Sequence, residues 1–344
     1  MQVFCGYPFT RVRVTAEGNV AMCCFQRPDP LKPDIAYLGN LLKDSFDEIW
    51  FSELAEDIRN TTMKGELADL CRVPGCPYLS MRKPYPTHHV IYNEYPTFLE
   101  IDLPNTHCNV GGTTPSEKNP ACIMCERASP HFVPEVDKLA DVIPRLINIV
   151  PNLTQIHIQG IAEPFYKDLL FNLLDWLEFD KYKDRITIST TTNGTLFKPE
   201  VREKFLQRCP HSITNFSIDA ATPETFKKIR IFDCFERVLE NMYSFNKERI
   251  RPRQFLRICN NINTMNIHEA VAMVQIAANA DAEYIEFNPT DGFNREILVN
   301  EQNCGMFKKA QDDIIRECER LGVPYNFIRP LDLGLTDQLI QITL

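Results

Sequence analysis

The chain has 344 residues, of which 44% are hydrophobic and 24% are charged, and its formal net charge at pH 7 is −9. These values suit one large globular domain accompanied by a small one. The acidic balance argues against a surface that binds nucleic acid. No apolar run approaches the roughly 18 residues that span a bilayer, and the N-terminus lacks the pattern of a signal peptide. We therefore expect a cytoplasmic protein that binds neither nucleic acid nor membrane.

Thirteen cysteines are the most unusual feature of the composition. A reducing compartment disfavours disulfides, so ligation of a metal or cluster is the better interpretation of the eight cysteines within the first 125 residues. The other five are scattered, and most are expected to be small buried hydrophobic residues. These five are Cys209, Cys234, Cys259, Cys304 and Cys318.

Residues 1–80 are predicted to form a small cysteine-rich α+β unit. Alternating side chains indicate strands at 11–15 and 20–24, joined by a turn. Ser45 and Glu48 have the spacing of a capping box, which predicts a helix from Phe46 to about Thr61.

Four cysteines of this unit are candidate ligands of one metal centre: Cys5, Cys23, Cys71 and Cys76. Cys24 would point to the opposite face of its strand from Cys23, so it is the predicted spare. Zinc is an alternative to an iron–sulfur cluster, because four thiolates from two short segments also suit zinc.

From residue 97 the sequence alternates between strand and helix patterns, which predicts a parallel sheet with crossover helices. Residues 81–96 are predicted to be a linker, and 301–344 a C-terminal helix, strand and tail. Chemistry in such sheets gathers at the carboxyl ends of the strands. The predicted strands are 98–103, 154–159, 185–192, 213–219, 254–260, 283–288 and 324–329. The predicted helices are 135–149, 166–178, 200–208, 223–246 with a break near Phe232, 267–280 and 304–321.

Cys108, Cys122 and Cys125 follow the first of these strands with the spacing C-x13-C-x2-C. Four thiolates close a metal centre, whereas three leave one position open for a substrate or cofactor. Zinc is an alternative here too, because His107 and His131 are nearby and could supply a fourth ligand.

Three later motifs lie at the ends of successive predicted strands. They are Ile156-His-Ile-Gln-Gly-Ile-Ala-Glu-Pro-Phe165, Thr191-Thr-Asn-Gly-Thr-Leu196 and Phe216-Ser-Ile-Asp-Ala-Ala-Thr-Pro-Glu-Thr-Phe-Lys-Lys-Ile-Arg230. With the three cysteines, they resemble the motifs of radical S-adenosylmethionine (SAM) enzymes over residues 97–290, although that family usually has the shorter spacing C-x3-C-x2-C.

This resemblance implies a partial (β/α)6 barrel over residues 97–300. It also implies a 4Fe–4S cluster on Cys108, Cys122 and Cys125, whose open iron binds SAM. Glu163 would accept hydrogen bonds from the SAM ammonium, and Ser217 and Arg230 would hold its carboxylate.

The N-terminal unit resembles the twitch/SPASM extension of the same enzymes, through the spacing C-x12-G-x4-C, Leu38-Gly-Asn40 and Glu48-Ile-Trp50. The resemblance implies a second, auxiliary 4Fe–4S cluster on Cys5, Cys23, Cys71 and Cys76. The extension usually follows the barrel, whereas here it precedes it.

The implied reaction is reductive cleavage of SAM to a 5′-deoxyadenosyl radical, which takes a hydrogen atom from a small molecule such as a sugar or aminocyclitol, or from a peptide. The auxiliary cluster would accept an electron or bind substrate, and flavodoxin or ferredoxin would be the electron donor. An oxidoreductase is favoured, and epimerisation or peptide modification stays open.

The alternative class is non-catalytic: a two-cluster electron carrier or a zinc scaffold. Candidates to face a substrate are Arg257, Asn260, Asn261, Asn288, Asp291, Tyr166 and His157, and candidate hydrogen-atom donors are Cys259 and Cys304.

Overall fold

The computed structural model describes residues 5–23, 37–66, 68–71, 94–110, 121–129, 131–290, 294–328 and 331. Cys24, Cys76, Asp291 and most of the predicted linker lie outside these ranges. The described strands are β1 (Arg11–Val14), β2 (Asn19–Ala21), β3 (Gly39–Asn40), β4 (Phe98–Asp102), β5 (Gln155–Gln159), β6 (Thr187–Thr192), β7 (Ser212–Ser217), β8 (Gln254–Ile262), β9 (Tyr284–Pro289) and β10 (Tyr325–Phe327).

The described helices pack beside these strands, and none of them is both long and apolar enough to cross a membrane. They are α1 (Tyr7–Thr10), α2 (Phe46–Trp50), α3 (Glu53–Met63), α4 (Leu139–Val142), α5 (Leu169–Trp176), α6 (Pro199–Arg208), α7 (Pro223–Arg230), α8 (Phe235–Glu248), α9 (Ala270–Asn279) and α10 (Cys304–Leu321). Short 3-10 turns span Asp69–Cys71, Glu126–Ala128, Ile143–Leu146, Val150–Asn152, Tyr166–Asp168, Phe179–Lys181, Ile267–Glu269 and Arg295–Ile297.

All the described strands belong to one mixed sheet, in the order β10-β9-β8-β7-β6-β5-β4-β1-β2-β3. Strands β4 to β9 pair in chain order and are all parallel, as the sequence predicted. The parallel run also includes the predicted C-terminal strand, because β10 adds to β9, and it extends to the N-terminal unit, because β1 adds to β4.

The pairing of β1 with β4 joins the N-terminal unit to the α/β part of the chain. Arg11 is level with Phe98, and Val14 is level with Ile101. Strand β2 then runs antiparallel to β1, and β3 antiparallel to β2. Because β1 is parallel to β4, Cys5 precedes the amino ends of the strands, and Cys23 returns to the same end after β2. These cysteines therefore lie at the opposite end of the sheet from Cys108.

Two predicted helices are interrupted. The helix predicted from Phe46 begins with the expected capping box, in which Ser45 Oγ accepts from the Glu48 amide at 3.3 Å and Glu48 Oε2 accepts from the Ser45 amide at 2.8 Å. It ends at Trp50, and α3 begins anew after Ser52, whose hydroxyl caps it. The helix predicted over 135–149 contains only the short α4 and a 3-10 turn, because Pro144 has no amide hydrogen to donate.

The apolar core lies between the sheet and its helices. On β8 the residues Leu256 and Ile258 are fully buried, whereas Arg257 and Cys259, which alternate with them, are half-buried. The same alternation runs through β5 and β9. One face of the sheet is therefore apolar and covered by helices, and the other, which we call the inner face, is polar.

Candidate active site

A cavity of about 280 Å³ opens at the carboxyl ends of the parallel strands. It brings together five of the six residues that the sequence assigned to the barrel site, namely Cys108, Cys122, Cys125, Ser217 and Arg230. Its other lining residues are Val110, Met124, Gly160, Ile161, Ala162, Thr191, Thr192, Asn193, Asn261 and Thr290.

Cys108 is held through the residue that follows it. The Asn109 side chain donates to Thr195 Oγ1 at 2.8 Å, and its oxygen accepts from Asn193 Nδ2 at 3.1 Å. Asn193 Oδ1 in turn accepts from the Thr195 amide at 2.9 Å. This amide network ties the cysteine loop to the turn after β6, and the sequence analysis did not single out Asn109.

Cys122 and Cys125 are fixed against the end of α7. The Cys125 amide donates to the Cys122 carbonyl at 2.9 Å, which closes a turn around the C-x-x-C pair. The Ile123 amide donates to the Ile229 carbonyl at 3.0 Å, and Cys122 Sγ lies 3.7 Å from the Arg230 carbonyl. The turn that carries both cysteines is therefore held against the last residues of α7, where Arg230 lies.

Burial raises the pKa of all three thiols, and that of Cys125 reaches about 11. Metal or cluster binding must therefore release protons, because the thiolate is the ligand. Within the described part of the chain, no three His, Cys, Asp or Glu side chains are close enough to hold a single metal ion.

Arg230 presents a buried cation to the same cavity. Its Nη2 donates to Ser217 O at 2.9 Å and to Ser217 Oγ at 2.7 Å, and it forms an ion pair with Asp219. Burial alone would lower the pKa of Arg230, but the Asp219 carboxylate together with the nearby thiols of Cys122 and Cys108 outweighs it, so the pKa is raised. Arg230 Nε is buried and has no hydrogen-bond partner among the described residues. This donor fits an anionic ligand such as a carboxylate.

Glu163 lies behind the cavity wall and is fully buried. Its carboxylate accepts from Thr192 Oγ1 at 2.7 Å and from the Asn193 amide at 2.8 Å. Burial raises its pKa to about 7, although these hydrogen bonds oppose the rise. In this structure Glu163 therefore holds the turn after β6, and its predicted contact with the SAM ammonium stays a prediction.

Glu269 supports the opposite side of the site, and the sequence analysis missed it. Its carboxylate accepts from the amides of Ala221 and Thr222 at 2.7 and 3.2 Å, and from the hydroxyls of Thr222 and Thr225, both at 2.6 Å. These bonds fix the start of α7, the helix that ends at Arg230. A lone acidic residue before an apolar helix gave no signal of this role.

The other candidate substrate-facing residues and hydrogen-atom donors do not all lie on the same face of the sheet. Arg257, Asn261 and Asn288 lie on the inner face, and so do Cys259 and His157. Asn260 does not face a substrate as expected: alternation turns it to the helix side, where it is 1% exposed and donates to the Ile218 carbonyl at 2.8 Å.

Two further candidates lie off the inner face. Tyr166 packs edge-on against His107, with ring centroids 6.2 Å apart. Cys304 begins α10, and its thiol donates to the Glu301 carbonyl at 3.3 Å.

Of the N-terminal candidates, Cys5, Cys23 and Cys71 are half-buried. Cys5 precedes α1, and its sulfur accepts from the Tyr7 amide at 3.5 Å. Cys71 ends the 3-10 turn that follows α3. Since Cys76 and Cys24 lie outside the described residues, the convergence of the four ligands and the choice of Cys24 as the spare stay predictions.

Comparison with known proteins finds similarity both for the N-terminal unit and for the fold of the chain as a whole. Residues 5–77 match the family model of SPASM, an iron–sulfur cluster-binding domain. Streptococcus suis SuiB bound to its precursor peptide SuiA is similar in structure, with a TM-score of 0.52 and 14% identity, covering 99% of this chain and 75% of SuiB. Native anSMEcpe with bound AdoMet gives a TM-score of 0.50 and 17% identity, covering 67% of this chain and 64% of that one.

SuiB and anSMEcpe are radical SAM enzymes. The chain has the radical SAM fold and carries a SPASM domain. A match to SuiB bound to S-adenosylmethionine has a TM-score of 0.48 and 16% identity and covers 68% of this chain. In that match this chain spans about half of the SuiB chain, 47% of its length. Comparison with curated proteins finds no match to the sequence. The radical SAM fold with its SPASM domain confirms the fold predicted from the strand-end motifs, with the SPASM domain before the barrel.

Proposed function

We propose that this protein is a radical SAM enzyme that cleaves SAM reductively and uses the resulting radical to take a hydrogen atom from a substrate. The observation that carries the proposal is the cavity shared by Cys108, Cys122 and Cys125 with the buried cation of Arg230. When bound, a 4Fe–4S cluster supplies one electron to the SAM sulfonium, which yields methionine and a 5′-deoxyadenosyl radical.

The chain's own residues would bind and orient SAM. Arg230, whose Nε has no hydrogen-bond partner in the described ranges, and Ser217, whose hydroxyl already accepts from Arg230, would receive the SAM carboxylate. The ion pair with Asp219 holds the Arg230 guanidinium in place. The hydrogen bond from the Asn193 amide to Glu163 holds Asn193 in the cavity wall. Gly160, Ile161 and Ala162 form the wall next to Asn193, where the backbone can approach a ligand closely.

The SPASM domain would hold a second 4Fe–4S cluster on Cys5, Cys23, Cys71 and Cys76. Four thiolates close such a centre, so we propose that it accepts an electron from the substrate radical and makes the net reaction an oxidation. The position of Cys5 and Cys23 at the amino ends of the strands supports this, because the polar inner face then lies between the two centres. Domain boundaries at about residues 80 and 97 are part of the same proposal.

The substrate would be a small polar molecule or a residue of a peptide. The polar inner face supports a substrate rich in hydrogen-bonding groups. The likeness in fold to peptide-bound SuiB across 99% of this chain supports a peptide. A flavodoxin or ferredoxin would supply the electron.

Anaerobic incubation of the reconstituted protein with SAM and dithionite tests the proposal, with 5′-deoxyadenosine followed by mass spectrometry. We expect about eight irons per chain, as two 4Fe–4S clusters require, and steady 5′-deoxyadenosine formation. A brown protein that leaves SAM intact would instead be an electron carrier. A colourless protein that holds zinc would be a scaffold.

A further inference from the structure

The inner face below the cavity carries a cluster of side chains that SAM binding leaves unused. Arg257 and Cys259 lie on β8, and Tyr284, Glu286 and Asn288 lie on β9. We call these five residues the β8–β9 wall. Asn261, two residues beyond Cys259 on the same face, lines the cysteine cavity, so the wall continues directly from that cavity.

Glu286 is the acidic group of the wall, and its described partners are all neutral. Oε1 accepts from Asn288 Nδ2 at 3.4 Å and lies 3.9 Å from Cys259 Sγ, and Oε2 accepts from Asn326 Nδ2 at 3.1 Å. No Lys, Arg or His among the described residues forms an ion pair with it. A ligand that brings a cation would supply the counter-ion that Glu286 lacks among these residues.

Arg257 is the basic group of the wall, and it too has no ion-pair partner among the described residues. Its guanidinium lies 4.4 Å from the centre of the Tyr284 ring, which orients it by a cation–π contact. Within the part of the chain that the structure describes, its Nε is buried without a hydrogen-bond partner, and so is Asn288 Oδ1. Buried polar atoms are normally satisfied, so an unpaired donor and acceptor on one wall indicate a missing polar ligand.

Arg257 and Glu286 are not paired with each other, because the register places them diagonally. Arg257 is level with Tyr284, and Cys259 is level with Glu286. Such diagonal neighbours on adjacent strands stand about 7–8 Å apart. Cys259 lies directly across from Glu286 and two residues along β8 from Arg257, so it neighbours both charges. A ligand on this wall therefore meets an anion and a cation, with a thiol beside both.

We propose that the β8–β9 wall binds the substrate, and that this substrate carries an amine, whose ammonium pairs with Glu286, and a hydrogen-bond acceptor or anion, which pairs with Arg257. The inference rests on the proposed function, because it places the substrate beside the SAM site. It adds the chemical class of the substrate and the residues that select it. Cys259 then faces the bound substrate beside both polar contacts.

Charge-selective labelling of Cys259 tests the wall without any substrate. The reconstituted protein is treated anaerobically with cationic trimethylammonioethyl methanethiosulfonate or anionic sulfonatoethyl methanethiosulfonate, and the labelling rate at Cys259 is measured by peptide mass spectrometry. The ratio of the two rates cancels any general change in thiol reactivity. Opposite charges within a few Å at a partly buried site change such a ratio by about tenfold.

Glu286→Gln should shift the ratio about tenfold toward the anionic reagent, and Arg257→Met should shift it about tenfold toward the cationic reagent. The controls Glu301→Gln and Arg316→Gln change exposed charges elsewhere and should leave the ratio unchanged. If neither reagent labels Cys259, or if both wall variants keep the parent ratio, the wall is not an open charged site and the proposal is overturned.

The labelling ratio separates this inference from the proposed function, because it is measured without any cleavage of SAM. A parent protein that never cleaves SAM would refute the proposed function, while the labelling ratio would still decide the charge of the wall.

The amine itself is tested with a polar extract of cells that encode the protein. Stimulation of 5′-deoxyadenosine formation by the extract should disappear when its amines are acetylated with acetic anhydride. It should also disappear in Glu286→Gln. Stimulation that survives acetylation would overturn the assignment of an amine substrate.

Discussion

Replacing Gly160 with alanine should strain the backbone in the wall of the active-site cavity. Gly160 follows β5 with φ of +128°, a region of backbone conformation that side chains rarely adopt. An added Cβ would lie 2.7 Å from the Leu103 carbonyl oxygen and 3.0 Å from the Leu103 nitrogen. Leu103 cannot move away freely, because its amide donates to the Gln159 carbonyl at 2.7 Å.

The expected cost adds a conformational part and a steric part. A strained backbone conformation costs about 1–3 kcal/mol. Overpacking against backbone costs about 1–3 kcal/mol more. A total of about 4 kcal/mol at about 2 °C per kcal/mol for a chain of this length predicts a thermal midpoint about 8 °C below the parent.

Thermal melts by circular dichroism, on anaerobic samples with matched iron content, measure this shift. Gly305→Ala is the control, because an added Cβ there meets none of the described residues within 4 Å, and alanine favours the first turn of α10. The control should melt at or slightly above the parent midpoint. If Gly160→Ala melts within about 1 °C of the parent, the close approach of Gly160 to Leu103 is not real.

Three further predictions concern buried carboxylates around the site. Asp219→Asn leaves the guanidinium of Arg230 buried without its counter-ion. The free energy of unfolding, measured in urea, should therefore fall by about 3 kcal/mol. A fall of less than about 1 kcal/mol would contradict the buried ion pair. Glu269→Ala should lower the free energy of unfolding by about 3 kcal/mol, and Glu269→Gln by only about 1 kcal/mol. The glutamine amide can still accept from the two backbone amides and donate to the two hydroxyls. Equal losses in the two variants would mean that these hydrogen bonds do not hold α7. The raised pKa of Glu163, about 7, means that the folded state binds this proton more tightly than the unfolded state, so its contribution is favourable at low pH and is lost as the pH rises toward 7. Relative to Glu163→Gln, the parent should therefore lose about 2 kcal/mol between about pH 5.5 and 7, and a difference that does not change with pH would refute the burial of a titrating carboxyl.

Local patterns were sufficient for most of the α/β part. The apolar alternation and the turn residues placed β4 to β9 within a few residues of their observed ends. The break after Trp50 was also readable, because Ser52 is a capping residue, and so was the interruption at Pro144. The period of two along β8 similarly separates Asn260 from Cys259 and Asn261.

Two features of the architecture could not be predicted from local patterns. The pairing of β1 with β4 joins segments more than 80 residues apart, and any short alternating strand has many partners of equal local quality. The direction of the Glu163 side chain depends on the turn after β6, whose amide and hydroxyl capture the carboxylate only once the two strands are adjacent. In both cases tertiary contacts decide between alternatives that the sequence leaves equal.

The central claim is that the three-cysteine loop holds the cluster that cleaves SAM, separately from the SPASM cluster. Its most direct test compares the parent with the double variant Cys122→Ala, Cys125→Ala by iron content, by electron paramagnetic resonance of the reduced protein with and without SAM, and by 5′-deoxyadenosine formation.

The parent should hold about eight irons, and SAM should change its resonance spectrum. The double variant should keep about four irons, show the spectrum of the SPASM cluster unchanged by SAM, and make no 5′-deoxyadenosine. A double variant that still cleaves SAM would contradict the account, because the three-cysteine loop would then not be the SAM site.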